Sequence, residues 1–390
     1  PFSAIVFKTV VDQFAGTLSV MRIVSGKLTA DTHALNAARG NKEKLAHPLF
    51  LMGKKQQPAE DPGPGDIVAV AKLKNTHTGD TLCEEKAALQ YPFPPPPRGV
   101  LGYSLTAKTK QDEDKVNSCL HRLIEEDPSL HLDRDSQTKE HLLSGMGQQH
   151  IDVTIEKLKR KFGVEVTLSV PTVPYRETVR GKASAEGKLK KQTGGHGQFA
   201  VAWLEVSPLP RGKGFEFEDR IVGGVIPRNF IPAVEKGLLE AKEHGVLAGF
   251  PVVDFKAAVF DGKHHPVDSS EIAFKLAASF GFKAAMQQAQ PTILEPIMSM
   301  EIEVPEENVG DVIGDLNQRR GRVLGVDTRA GHQVIKAQAP MAEVLSYAQS
   351  LTSITSGKGS FSMDFDHYDE APAPIREKIV AEAAAKKQED

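Results

Sequence analysis

The spacing of apolar residues changes repeatedly along this chain and divides it into stretches of different character. From residue 1 to about 90, short apolar runs (AIVFKTVV, TLSVMRIVSGKL, DIVAVAKL) alternate with Gly, Asp and Asn, and no helical period persists. That pattern predicts strands closing into a small β-barrel over residues 1–90. PAEDPGPGD (58–66) is expected as an exposed loop, and the proline-rich YPFPPPPRG (91–99) as a stiff, extended connector. From Val100 to Val170 the order changes to strand, helix, strand, strand, helix, strand. Val116, Leu120, Leu123 and Ile124 stripe the first helix, which should stop at Asp127-Pro128; Ile151, Ile155, Leu158 and Phe162 stripe the second. This βαββαβ order is the ferredoxin-like split unit, assigned to residues 100–170.

Residues 171–290 form a different α+β stretch. Val253, Phe255, Ala257 and Val259 alternate as in a half-buried strand, which Asp261-Gly262 is expected to end. Asp268, with Glu271 three residues on, has the spacing of a capping box opening a helix, and Ile272, Leu276 and Phe280 recur along one face of that helix. From 291 to 368 the βαββαβ order returns. Its first helix carries Val309, Val312, Ile313 and Leu316, and its second lies around Leu345 and Ala348. Residues 369–390 are expected as a charged helix or frayed end.

Composition adds bounds to this picture. A chain of 390 residues suggests roughly two to four domains. A hydrophobic content of 40% and a charged content of 25% are those of ordinary globular protein. The formal net charge of −3 means that any nucleic-acid binding must come from local patches. Two cysteines, Cys83 and Cys119, make no disulfide framework or zinc motif, which fits a reducing cytosol. No apolar run approaches membrane-spanning length, so a cytoplasmic protein with no membrane partner is expected.

The chemical motifs point to binding. A phosphate-cradling loop needs GxxxxGK[ST], and SGKGS (356–360) fails it; the NKEK stretch at Asn41 lacks the Asp of a guanine-reading motif. No nucleophile elbow, metal helix or dinucleotide fingerprint occurs, so catalysis by this chain alone is not expected. Two loops suit RNA contact. One runs through Lys188, Lys190, Lys191, Gly194, Gly195, His196, Gly197, Gln198 and Phe199, where glycines permit close approach, lysines attract phosphate and Phe199 could stack on a base. The other holds Lys263, His264 and His265 on a turn stiffened by Pro266. A metal triad of His265, Asp268 and Glu271 is disfavoured, because both acids have a predicted capping role and no further His or Cys lies at ligand spacing. NQRRGR (317–322) should end a helix with Gly321 as a left-handed cap; its Arg319, Arg320 and Arg322 exceed what capping requires and are candidates for RNA contact. The glycines of GMGQQH (145–150) are assigned to a tight strand-to-helix turn.

Several long blocks, in order, resemble bacterial elongation factor G: PFSAIVFKTVVD, GGVIPRNFIPAVEKG, LAGFPVVD, HHPVDSSEIAFKLAA and ILEPIMSMEIEVPEENVGDVIGDLNQRRG. The resemblance spans essentially the whole chain. It implies a multidomain α+β protein: a translation-factor β-barrel (domain II), two ferredoxin-like domains (III and V) and one ribosomal-S5-like domain (IV). It further implies a ribosome-binding part of a translational GTPase that moves tRNA and mRNA. GTP and Mg would belong to a GTPase domain that precedes these in the family, and no cofactor is expected in this chain. By the same resemblance His265 is the tip histidine, Gly194 to Phe199 the first tip loop, and Arg319 and Arg320 the arginines facing large-subunit rRNA. The partners implied are both ribosomal subunits, tRNA and mRNA, engaged by a monomer. The chain departs from the family pattern at His196 (usually Arg), Gln148 (usually Glu) and Pro266 (usually Asp). These departures resemble a second, paralogous copy, for which ribosome recycling or ribosomal protection are the alternative tasks, beside GTP-independent ribosome binding.

Overall fold

The computed structural model describes every residue except 13–15, 54, 98, 100, 111, 192–196, 330 and 390. The first eight strands are β1 (Ser3–Asp12), β2 (Gly16–Ser25), β3 (Thr32–Asn36), β4 (Asn41–Leu45), β5 (Leu49–Met52), β6 (Lys55–Pro58), β7 (Ile67–Ala71) and β8 (Thr81–Cys83). They form one sheet in the order β4-β3-β8-β1-β2-β7-β5-β6, antiparallel at every pairing. Their alternating apolar residues, Val6, Met21, Ile23, Leu45, Val68 and Leu82 among them, bury into one core. In the loop 58–66 only Ala59 and Pro62 are buried.

The second unit runs β9 (Leu101–Ala107), α1 (Glu113–Glu126), β10 (His131–Arg134), β11 (His141–Gly145), α2 (Gln148–Phe162) and β12 (Val166–Ser169). The sheet order is β10-β11-β9-β12, the split βαβ arrangement. The helical stripes do what their spacing predicts: Val116, Leu120 and Leu123 of α1 and Ile151 and Leu158 of α2 are buried against Leu105 and Leu143.

The third unit contains β13 (Arg176–Val179), β14 (Ala183–Lys191), β15 (Gln198–Pro208), β16 (Phe215–Asp219), α3 (Ile231–Ala241), β17 (Phe255–Lys263) and α4 (Glu271–Gln288). Strands β14-β15-β17-β16 make a sheet whose last pair is parallel, and both helices pack on it through Val234, Leu238, Phe274 and Phe282. Three local expectations are corrected here. Asp261-Gly262 does not end β17: Phe260 bulges out and pairing resumes, Asp261 with Trp203 and Lys263 with Val201. The cap of α4 is Ser270, whose Oγ accepts the Ala273 amide at 3.2 Å, so Asp268 is released for other contacts. Ile272, Leu276 and Phe280 are 64%, 38% and 45% exposed. The buried face carries Ala273, Ala277 and Gly281 instead, because small residues let α4 lie close on β14.

The last unit runs β18 (Pro291–Val304), α5 (Val309–Gln318), β19 (Arg322–Arg329), β20 (His332–Pro340), α6 (Met341–Val344), α7 (Tyr347–Thr355), β21 (Ser360–Glu370) and α8 (Ala373–Glu389). It repeats the split order, with β20 and β21 on either side of β18. The helix around Leu345 is divided into α6 and α7. Strand β13 joins this sheet, Arg176–Val179 pairing with residues 291–294 of β18. The seam is closed by Glu177, whose carboxylate accepts the amides of Val246, Leu247, Ala248, Gly249 and Phe250 at 2.7–3.2 Å. On the same side Ile379 of α8 is buried with Ala248 and Ile293.

Candidate nucleic-acid interface

Strand register gathers one set of candidates. Lys190 pairs with Phe199, Lys191 with Gln198, and Lys263 with Val201, so the β14–β15 turn and the end of β17 lie at the same end of one sheet. Lys188, Lys190, Lys191 and Lys263 are exposed, and among the described residues none has an ion-pair partner. Gly194, Gly195 and His196 lie outside the described residues.

The two loops are stitched together by Asp268 and Ser269. Asp268 Oδ1 accepts the Gly197 amide at 3.0 Å, and the Asp268 carbonyl accepts the Phe199 amide at 2.9 Å. Ser269 Oγ accepts the His265 amide at 2.8 Å and donates to the Phe199 carbonyl at 2.7 Å. The Phe199 ring meets the His265 ring edge-on, with centroids 6.4 Å apart. A Cβ on Gly197 would sit 3.1 Å from the Asp268 carboxylate, so the glycine permits this approach. His265 remains half exposed. Because Asp268 faces the neighbouring loop, its carboxylate serves loop closure rather than a helix cap. Among the described residues, no group of three or more His, Cys, Asp or Glu is placed to hold a metal ion.

A third loop, singled out in the sequence only as the start of GGVIPRNFIPAVEKG, completes this end. Residues 221–227 turn through Gly223 and Gly224, both with positive φ, and the Val225 carbonyl lies 3.2 Å from His264 Nδ1. Val222 is 83% exposed beside them. The Gly-Gly pair was the available signal, but nothing in its spacing connects it to residues forty positions later.

The arginine cluster belongs to a different sheet and is differently employed. Arg319 Nε pairs with Asp315 at 2.8 Å, while its other nitrogens donate to the Glu343 carbonyl at 2.8 Å and Ser350 Oγ at 2.7 Å. Arg320 holds Glu295 in a bidentate pair at 2.7 and 2.8 Å and reaches Glu343 at 3.1 Å. The Glu295 bond in particular raises the Arg320 pKa further. These two guanidinium groups are engaged within the protein; Arg322 on β19 is exposed. The left-handed residue here is Arg320, with φ of 58°, and not Gly321. Gly321 is needed because a Cβ there would lie 2.7 Å from the Leu316 carbonyl oxygen.

No helix among the described residues is long and apolar enough to cross a membrane. Four domain-family profiles match the chain in sequence order: elongation factor G domain 2 over residues 1–85, domain III over 94–170, domain IV over 171–290, and the elongation factor G C-terminus over 292–379. Among solved structures the chain is similar to the crystal structure of a protein from Thermus thermophilus, at 41% identity and a TM-score of 0.84. The match covers 99% of this chain and 58% of that one, so the chain spans little more than half the length of this relative.

Proposed function

Because the chain belongs to the elongation factor G family, with the translation role that membership carries, we propose that it is the ribosome-binding part of an elongation factor G-like translational GTPase. In this reading it promotes GTP-dependent translocation of tRNA and mRNA in the cytoplasm. GTP and Mg are assigned to a GTPase domain outside these residues, and this chain contributes binding and mechanical coupling. The end of the third unit, with Lys190, Lys191, Gly194 to Gln198, Lys263, His264 and His265, is the decoding-region contact. Of the arginines, Arg322 is the rRNA contact, while Arg319 and Arg320 shape the surface that presents it.

The observation that carries this reading is the joining of the two tip loops through Asp268 and Ser269 into one unit whose lysines have no ion-pair partner among the described residues. Phosphate contacts from such a unit release counterions, so binding must weaken as salt rises. Cosedimentation with ribosomes over a KCl series tests it. The Lys190→Glu/Lys191→Glu variant should bind more weakly and with a shallower salt slope; an identical slope would remove the tip from the interface. The departures at His196, Gln148 and Pro266 favour a paralogous factor. For such a copy, recycling or protection of ribosomes is the second reading, and GTP-independent binding the third.

A further inference from the structure

Strand β14 is the outer strand of its sheet, paired on one side with β15 and open on the other. Among the described residues no backbone hydrogen bond reaches that open side, so a row of amides and carbonyls is left unpaired there. Helix α4 lies over β14 and β15, and α3 packs on its opposite flank, where Gly237 meets the Lys275 backbone. With about 3.6 residues per turn, the exposed Leu276 and Phe280 project on the flank away from α3, beside the open strand edge. An unpaired edge and a bare apolar stripe therefore run side by side. Along β14 the side chains alternate. Ala183, Ala185, Gly187 and Leu189 lie on the face that α4 covers, while Ser184, Glu186, Lys188 and Lys190 are exposed on the other. Neither Glu186 nor Lys188 has an ion-pair partner among the described residues.

Lysines on an edge strand ordinarily repel a second strand. One antiparallel self-pairing reverses this. Centred on Gly187, it sets Glu186 opposite Lys188 of a second copy and Lys188 opposite its Glu186, with Ala185 facing Leu189 and Ser184 facing Lys190. Centred one residue earlier it opposes Glu186 to Glu186, and one residue later Lys188 to Lys188. We propose that a second copy of this chain covers this flank, β14 pairing with β14 around a two-fold axis at Gly187, so that the two sheets continue as one and the two α4 stripes meet. The spacing suits helix packing. Because α4 sits over the boundary of β14 and β15 and strands lie about 4.8 Å apart, the axis sets the two helices about 10 Å apart, the upper end of ordinary interaxial distances. Gly187 lies against Ala277 and Gly281, so Leu276 and Phe280 are the stripe residues nearest the axis. Every contact of such an isologous interface occurs twice. A strand of another protein could also satisfy the edge, but the second copy brings both the matching charges and a second apolar stripe. Since β14 runs towards the tip, the two tips point in opposite directions.

Sedimentation equilibrium of the whole chain reads the association. A concentration-dependent dimer is expected, with a dissociation constant on the order of 10 μM. Phe280→Asp places a charge in the apolar contact of both helices and should weaken the dimer by about tenfold or more. Glu186→Lys should weaken it by about tenfold, because it sets two pairs of like charges directly opposite each other. The Glu186→Lys/Lys188→Glu exchange reverses both partners and should return association to within about threefold of the parent. All three positions are exposed, so the variants should keep the parent's fold, which circular dichroism checks. A parent that stays monomeric from micromolar to millimolar concentration overturns the second copy as occupant and leaves a strand of another protein in its place. A dimer broken by Phe280→Asp but indifferent to Glu186→Lys, or one that the double exchange fails to restore, overturns the strand register. A dimer indifferent to both single changes forms elsewhere on the molecule and overturns the interface.

Discussion

Gly187 of β14 and Gly281 of α4 face each other with no side chain between them. A Cβ built on Gly187 would lie 1.9 Å from the Ala277 carbonyl oxygen and 2.5 Å from the Gly281 nitrogen, and one on Gly281 would lie 2.9 Å from the Gly187 nitrogen. Strand and helix thus meet backbone to backbone, which sets how closely α4 lies on the sheet that carries the tip. Backbone cannot rotate away as a side chain can. Gly187→Ala should therefore destabilise the protein by about 3 kcal/mol, the upper part of the overpacking range. Gly314→Ala is the control: Gly314 lies in α5 with nothing within 4 Å of its Cβ position, and the change should be neutral or stabilising by up to about 1 kcal/mol. Denaturant unfolding of both variants checks the contrast.

Ser269→Ala removes the hydroxyl that joins His265 to Phe199. Global stability should fall by only about 1 kcal/mol, since the site is partly exposed. The local effect should be larger. In hydrogen exchange the His265 amide should lose protection in the variant, while amides of the buried strand β17 near Val259 keep theirs. Ser269→Thr, which keeps the hydroxyl, should restore it.

The buried Glu177 carboxylate occupies the space beside Gly245 and satisfies five amides of a partly buried loop. Glu177→Ala leaves those donors without their acceptor, and a loss of about 3 kcal/mol or more is expected. Thermal unfolding measures it. Gln can accept at one oxygen only, so Glu177→Gln should fall between the parent and Ala.

Glu295 is buried and paired with Arg320. Arg320→Ala strands that carboxylate and should cost about 3 kcal/mol, whereas Arg322→Ala, at an exposed position, should leave unfolding unchanged. If both variants unfold like the parent, the internal role given to Arg320 is wrong.

Glu165 is held between Lys108 and Lys159, whose hydrogen bonds and charges pull its pKa down to about 2. A carboxyl depressed in the folded state stabilises it above the ordinary carboxylate range, and that contribution is lost as pH falls from about 4.5 to about 2. Glu165→Gln should accordingly flatten the acid limb of the stability curve between those values. The pair is exposed, so the difference should shrink at high salt. Acid titration of unfolding midpoints in low and high KCl is the measurement.

Much of this protein is determined by sequence periodicity alone. The stripes Val116–Leu120–Leu123 and Ile151–Leu158 place two helices on a sheet because apolar spacing of three and four residues can bury only one helical face, and the split βαββαβ order appears in the second and last units. The stripe Ile272–Leu276–Phe280 misleads for a reason of the same kind. Periodicity registers large apolar residues, while the part of the packed face that lies against β14 is Ala277 and Gly281, beside the buried Phe274 and Phe282; the small residues contribute closeness of approach, which has no signature in hydrophobicity. The residues of the candidate site were visible one by one, as lysines, glycines and histidines on turns. Their assembly was not. Which residue caps α4 and which crosses to Gly197, that Ser269 ties His265 to Phe199, that Arg320 is spent on Glu295, and that β13 crosses into the last sheet were all decided by tertiary structure. Such contacts join residues far apart in the chain, and a polar group's partner is chosen by what folding brings within hydrogen-bonding distance, which local pattern does not encode.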